Sequence, residues 1–288
     1  MGIKDNLSLC KSVWSVTFKT LAKYPSLLIP FFMNAVFQGL VLTVLFYYPR
    51  SPFSAIFGQP VQAFYGIRFL HYPYNFLLLP KLFYYGQILA TLTLGVVMFG
   101  MAMGMVSQIH TEGTAPRIGG SINRSLRRYL PLVGIWLVTF IISLIILRGP
   151  AFLIMKFMQP TTFAKILLQV VSYGGILAVF LVEALFIYAY PAIVVERAGF
   201  LKGIARSFSI SKGVFLTTAI LVIVPRILDV IGIIIKDKMT NATNINFPDF
   251  PEITVVMLAI LIGITLITDS LVFLSTANLF MLKKETEK

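Results

Sequence analysis

Four charged residues of this chain stand where charge is costly. Glu183 lies in "LVEALF", Asp269 in "ITDSLVF", and Arg226 with Asp229 in "VPRILDVI". Each falls inside an apolar run long enough to cross a bilayer. An ionised side chain at mid-helix in hydrocarbon costs about 2.5–3.5 kcal/mol on insertion scales, so it is usually kept for a partner or a pathway. At about 1.5 Å of rise per residue, Glu183 lies about 10 Å in from the end of its run, and Asp269 at a similar depth. Two carboxylates at like depth can share a proton, bind a cation, or accept hydrogen bonds from Asn34, Gln38 or Gln87. The plainer alternative is that each is protonated or satisfied by Ser, Thr or Asn on a neighbouring helix. Arg226 and Asp229 are spaced i, i+3, so they can meet on one helix face, and Arg226 is long enough to snorkel towards the headgroups. Pro225 frees the carbonyl one turn earlier. A local ion pair beside a kink is the simpler reading of that pair.

Conventional enzyme signatures are missing. The sequence holds no P-loop, HExxH, GxSxG or CxxC, and neither His71 nor His110 falls within a span. Cys10 is the single cysteine, which excludes an intrachain disulfide and a thiolate metal cluster. The expectation is therefore a protein without a catalytic site, cofactor or metal. "NAT" at Asn241 is a formal glycosylation acceptor, meaningful only in a eukaryotic host.

The elements that must position these residues follow from composition. Of 288 residues, 58% are hydrophobic and 12% charged, and the mean hydropathy is +0.88. So few charges cannot cover a water-soluble body of this size; a bilayer must solvate much of it. Six segments are apolar and long enough to span: 26–48, 84–108, 130–147, 166–190, 213–235 and 253–279. The third is the shortest, ending at "LRGP", and requires Tyr129 or local bilayer thinning. No cleavable signal peptide is expected, since the first 24 residues lack a continuous apolar core.

The formal net charge of +13 fits the Lys/Arg enrichment of cytoplasmic loops better than nucleic-acid binding, because no basic stripe with stacking aromatics is present. With the N-terminus inside, the inner segments carry fifteen Lys and Arg and the outer loops eight. That bias predicts both termini inside a cell membrane, plasma or bacterial inner.

Three inner approaches to an outward-going span are alike: "FKTLAKYPSLLIP" (18–30), "NRSLRRYLPLVGI" (123–135) and "ARSFSISKGVFLT" (205–217). Lys19-Thr20-Leu21, Arg124-Ser125-Leu126 and Arg206-Ser207-Phe208 align as base, hydroxyl and bulky apolar group. A helix breaker follows each time: Pro25, Pro131 and Gly213. The expected fold is an all-α integral membrane protein, one polytopic domain over 1–288. It has six transmembrane helices in three pseudo-repeats, about 1–108, 109–190 and 191–288, each an amphipathic interfacial helix plus a transmembrane hairpin. On a helical wheel Leu7, Cys10, Trp14, Phe18 and Leu21 share one face, and Phe200, Ile204, Phe208 and Ser211 share another. Lys19, Arg124, Arg206 and Lys212 are then placed to meet lipid phosphates; the alternative is a set of plain connectors.

The segment with Pro191, Glu196, Gly199, Arg206, Ser207, Lys212 and Gly213, following "YPAIVVE", resembles a prokaryotic polytopic group. That group includes YciC-like inner-membrane proteins and the membrane domain of some glycerophosphodiester phosphodiesterases. The resemblance implies a multi-span membrane module. It does not imply hydrolase activity, since only "KKETEK" follows the last span here.

In "LGVVMFGMAMGMVSQ", Gly100 and Gly104 form a small-xxx-small face for close helix approach, and the surrounding methionines read as packing. Loop 49–81 carries eight aromatics and five prolines that break any spanning helix, so it is expected at the outer interface. Together these readings favour a lipid-associated or accessory membrane module, in contact with anionic headgroups and with a membrane-protein partner or a second copy. A permease using Glu183 and Asp269 as a cation or proton site is the alternative.

Overall fold

The computed structural model describes residues 2–159, 161–246 and 251–286; the side chains of the Asn241 acceptor and Lys288 lie outside them. The described residues are helical, without strands. Six helices are long and apolar enough to cross a membrane: Pro25–Phe46, Tyr74–Glu112, Tyr129–Phe157, Thr162–Val194, Phe200–Lys236 and Ile253–Thr286. This is the make-up of a multi-pass membrane protein.

In chain order the helices are α1 (Ile3–Lys23), α2 (Ile29–Phe46), α3 (Ser54–Tyr65), α4 (Tyr74–Ala90), α5 (Val96–Glu112), α6 (Ile118–Leu126), α7 (Tyr129–Phe157), α8 (Thr162–Phe186), α9 (Ala189–Val194), α10 (Phe200–Asn246) and α11 (Ile253–Thr286). A π-helical turn, Thr91–Gly95, joins α4 to α5. Two spans are longer than their hydropathy suggests. Pro150 does not end α7, which needs no bilayer thinning, and Pro60 and Pro80 lie inside α3 and α4. A proline removes one N–H from the ladder and tends to kink a helix, but in lipid every freed backbone group still needs a partner, which favours continuing the helix.

The helices form two compact units: Met1–Ile29, Val96–Arg226 and Ser270–Lys288 in the first, and Pro30–Gly95 with Ile227–Asp269 in the second.

In the first unit α5 is the innermost element, with every residue from Val96 to Gln108 buried. Small residues make that possible. A Cβ on Gly100 would lie 2.9 Å from Leu132 Cδ1 and 3.0 Å from Ser125 Oγ, and one on Gly104 3.5 Å from Val194 Cγ1. Polar bonds pin the helix ends. His110 Nε2 donates to Asn278 Oδ1 (2.9 Å), because Asn278 Nδ2 donates to Thr17 Oγ1 (3.1 Å) and so fixes which end of the amide is oxygen. His110 Nδ1 lies 3.4 Å from Glu285 Oε1. Thr217 Oγ1 donates to Asn6 Oδ1 (2.9 Å), and Tyr188 and Thr218 hydroxyls bond at 2.5 Å.

These bonds set which edge of α1 faces the protein. Asn6, Cys10, Val13 and Thr17 face the protein, while Leu7 and Phe18 are exposed. The buried edge is chosen by polar groups that need partners. The same holds in α6 and the start of α10: Ser121, Ser125, Gly203, Ser207 and Ser211 are inside, while Ile118, Leu126, Leu201 and Phe208 are exposed. Each of these stretches ends in a break: Tyr24 before the 3-10 turn Pro25–Leu28, Arg128 before α7, and the non-helical Val214 within α10.

In the second unit Leu42, Leu45, Phe76, Leu79, Phe83, Leu258 and Ile262 form a core from α2, α4 and α11. Tyr48, Val61 and Leu78 form a smaller cluster under α3. The Tyr48 hydroxyl donates to Phe69 O. A Cβ on Gly232 would sit 2.9 Å from Ile264 Cδ1, so α10 and α11 pack closely here.

Candidate functional site

Three arrangements gather most of the chemistry-bearing residues. The first is at the junction of α6 and α7. Arg124, Arg127 and Arg128 are spaced i, i+3, i+4, which brings them to one side of a helical turn. With Gly120, Asn123, Val194 and Arg197 they line an open recess of about 420 Å³. Among the described residues no carboxylate pairs with any of the four guanidiniums. Arg197 is held there by a turn in which Ala198 N–H donates to Ala192 O (3.1 Å), and its φ is +56°. Four bidentate-capable cations around one concavity offer the charge and hydrogen-bond geometry that an anion would need. Arg124 alone was singled out from sequence; the i, i+3, i+4 spacing was the signal for its two neighbours, and nothing local marked Arg197.

The other lead-in cations are placed differently. Arg206 turns onto Glu196, with Nε–Oε2 and Nη2–Oε1 distances of 3.3 and 3.4 Å. Lys19 is exposed on α1, and Lys212 is exposed beside Phe208 and Phe215. Burial raises the Cys10 thiol above its ordinary value, which makes it inert rather than nucleophilic.

The second arrangement surrounds Glu183. Arg226 of α10 meets it side-on, with Nη2–Oε1 at 2.6 Å and Nε–Oε2 at 3.1 Å. Arg226 thus reaches a carboxylate on another helix. Phe99, Trp136, Phe140, Tyr190 and Phe273, with Thr139 and Ser143, complete a pocket of about 210 Å³ around the pair.

The third lies in the second unit. Asp269 (6% exposed) and Thr265 of α11 pack against Asn34 and Gln38 of α2, without room for a water molecule between them. Gln87 Nε2 donates to Gln38 Oε1 (3.2 Å), and Thr268 Oγ1 to Asp229 Oδ1 (2.8 Å). Asn34, 4% exposed, has no donor for its Oδ1. Such a buried unpaired acceptor is uncommon and calls for an explanation. Among the described residues no three His, Cys, Asp or Glu side chains are grouped so as to hold a metal.

No family model matches the chain, and neither a curated protein nor a solved structure matches it.

Proposed function

We propose that this chain is a lipid-associated, non-catalytic module of the cell membrane, binding anionic headgroups at its inner face. The observation that carries this reading is the recess of four unpaired arginines, Arg124, Arg127, Arg128 and Arg197. Its sign and bidentate geometry suit phosphate, and a juxtamembrane site meets phosphate chiefly as lipid. The exposed apolar edges of α1, α6 and the first part of α10, flanked by Lys19, Arg124 and Lys212, fit helices lying at the headgroups. The breaks at Tyr24, Arg128 and Val214 come five, four and eight residues after the aligned bases Lys19, Arg124 and Arg206, so each lead-in helix ends shortly before its span, which supports three pseudo-repeats. The Lys/Arg bias supports both termini inside. Shared topology is all that the resemblance to the YciC-like group adds.

The test is native mass spectrometry of the protein with phosphatidylglycerol, against inorganic phosphate as the soluble competitor. Replacing Arg124, Arg127 and Arg128 by Gln removes about 1 kcal/mol per residue, on the order of 100-fold in all. Retention of anionic lipid unchanged by the triple substitution would refute the reading.

A second reading, a cation- or proton-coupled permease, is favoured by one observation: the donorless Asn34 Oδ1 beside buried Asp269. A protonated Asp269 would satisfy it. This reading expects Asp269→Asn to abolish ion flux in proteoliposomes, and full flux in that variant removes it.

A further inference from the structure

The Glu183 pocket is independent of the arginine recess and has a composition of its own. On one side Trp136 and Phe140 of α7 stack with ring centres 5.0 Å apart and planes 8° apart. On another, Phe99 of α5 and Phe273 of α11 stack at 4.2 Å and 7°. Tyr190 stands edge-on to both of the latter rings, at 6.4 and 5.6 Å. Aromatic faces carry negative potential and attract cations, most strongly where water is excluded. The floor is the Glu183–Arg226 pair, 21% and 15% exposed.

The space matters as much as the lining. About 210 Å³ is roughly seven times the volume of one water in the liquid, about 30 Å³. The pocket is a half-open recess between helices, where side chains otherwise pack nearly as densely as organic crystals. Glu183 is also incompletely used. Each carboxylate oxygen accepts one bond from Arg226, about half of the four lone-pair sites an ionised carboxylate offers.

Charge decides what fits. The pair is already neutral, so a lone cation or lone anion would leave one uncompensated charge inside the bilayer, which is costly. A zwitterion adds none. Its ammonium would lie between Glu183 and the aromatic faces, and its acid group would meet the Arg226 guanidinium, making four alternating charges. We infer that the Glu183–Arg226 aromatic pocket binds a zwitterion bearing an ammonium and an acid group. This chemistry has two sources: the headgroup of a zwitterionic lipid such as phosphatidylethanolamine, or a free solute such as glycine betaine.

The experiment follows Trp136 emission in the full-length protein carrying Trp14→Phe, which leaves one tryptophan. Short-chain phosphatidylethanolamine and glycine betaine are the zwitterion probes; tetramethylammonium chloride and sodium acetate carry one charge each. The expected result is a saturable shift with at least one zwitterion, at about tenfold lower concentration than with either single-charge probe. A response to the phospholipid alone assigns the site to a headgroup, and a response to betaine alone to a solute. Glu183→Gln should weaken the response about tenfold. If that variant does not fold, Phe140→Leu, which thins the wall and leaves the ion pair intact, should weaken it several-fold. No shift with either zwitterion overturns the inference. So does equal affinity for tetramethylammonium, or undiminished binding in the folded variant.

Discussion

The two units handle carboxylates in oil by different means. In the first, Glu183 meets a full positive charge at 2.6 Å. In the second, Asp229 accepts from a threonine hydroxyl, and Asp269 packs against two amide side chains, one of them with an acceptor that has no donor. A charge pair is locked, because breaking it leaves an unneutralised charge in a low dielectric. The neighbours named around Asp229 and Asp269 are dipoles, and removing one of them leaves no bare cation behind.

The sharpest way to break this contrast is Arg226→Met. It orphans Glu183 and should cost about 3–5 kcal/mol, whereas Glu183→Gln with Arg226→Met should lie within about 1 kcal/mol of the parent. Detergent thermal unfolding of both variants decides it; equal losses would mean that the pair is not a locked unit. Next in size is Gly100→Ala in the same unit. The added Cβ would meet Leu132 Cδ1 at 2.9 Å and Ser125 Oγ at 3.0 Å, and overpacking of this kind costs about 1–3 kcal/mol. An unchanged midpoint would show that α5 has slack.

The second unit predicts the opposite sign. Asn34→Leu keeps the branched side-chain skeleton and removes a buried acceptor that lacks a donor, so stability should rise by about 1 kcal/mol. A loss would mean that Asn34 has a partner essential to the fold. The last effect, confined to alkaline pH, is at Tyr48, just beyond the end of the first span. Burial pushes its phenol up to about 12 from an ordinary value near 10. The folded chain therefore keeps that proton where the unfolded chain has released it. Its contribution to stability is complete below pH 10 and is lost as pH rises towards 12. A difference between the parent and Tyr48→Phe that is constant below pH 10, where it reports the bond to Phe69, and changes above pH 10 in alkaline unfolding would match; no change across pH 10 would place Tyr48 in water.

Much of the architecture was legible in the residues, for a definable reason. Hydropathy reports transfer to hydrocarbon, so all six spans were visible. It does not report what a proline does once a helix is inside lipid, so α7 was ended near Pro150 and α4 began too late. The wheel of α1 puts the exposed Leu7 and Phe18 on one face with the buried Cys10, because apolarity marks two environments, lipid and protein; Asn6 and Thr17, which need partners, show which edge is which. The same limit holds at the sites. Glu183, Asp269, Arg226 and Asp229 stood out as charges in oil, yet the pairing of Glu183 with Arg226 spans 43 positions, and no local pattern encodes it. The aromatic walls come from four further helices, each reading alone as ordinary core.

The positive φ of Arg197 has its own corollary for how that surface responds to change. Side chains are unfavourable in this conformation by about 1–2 kcal/mol, and glycine enters it without steric cost. Arg197→Gly therefore deletes a charge and relaxes the backbone in one step. The variant should melt no lower than its parent while holding acidic phospholipid less well, so that robustness and grip part company at a single residue.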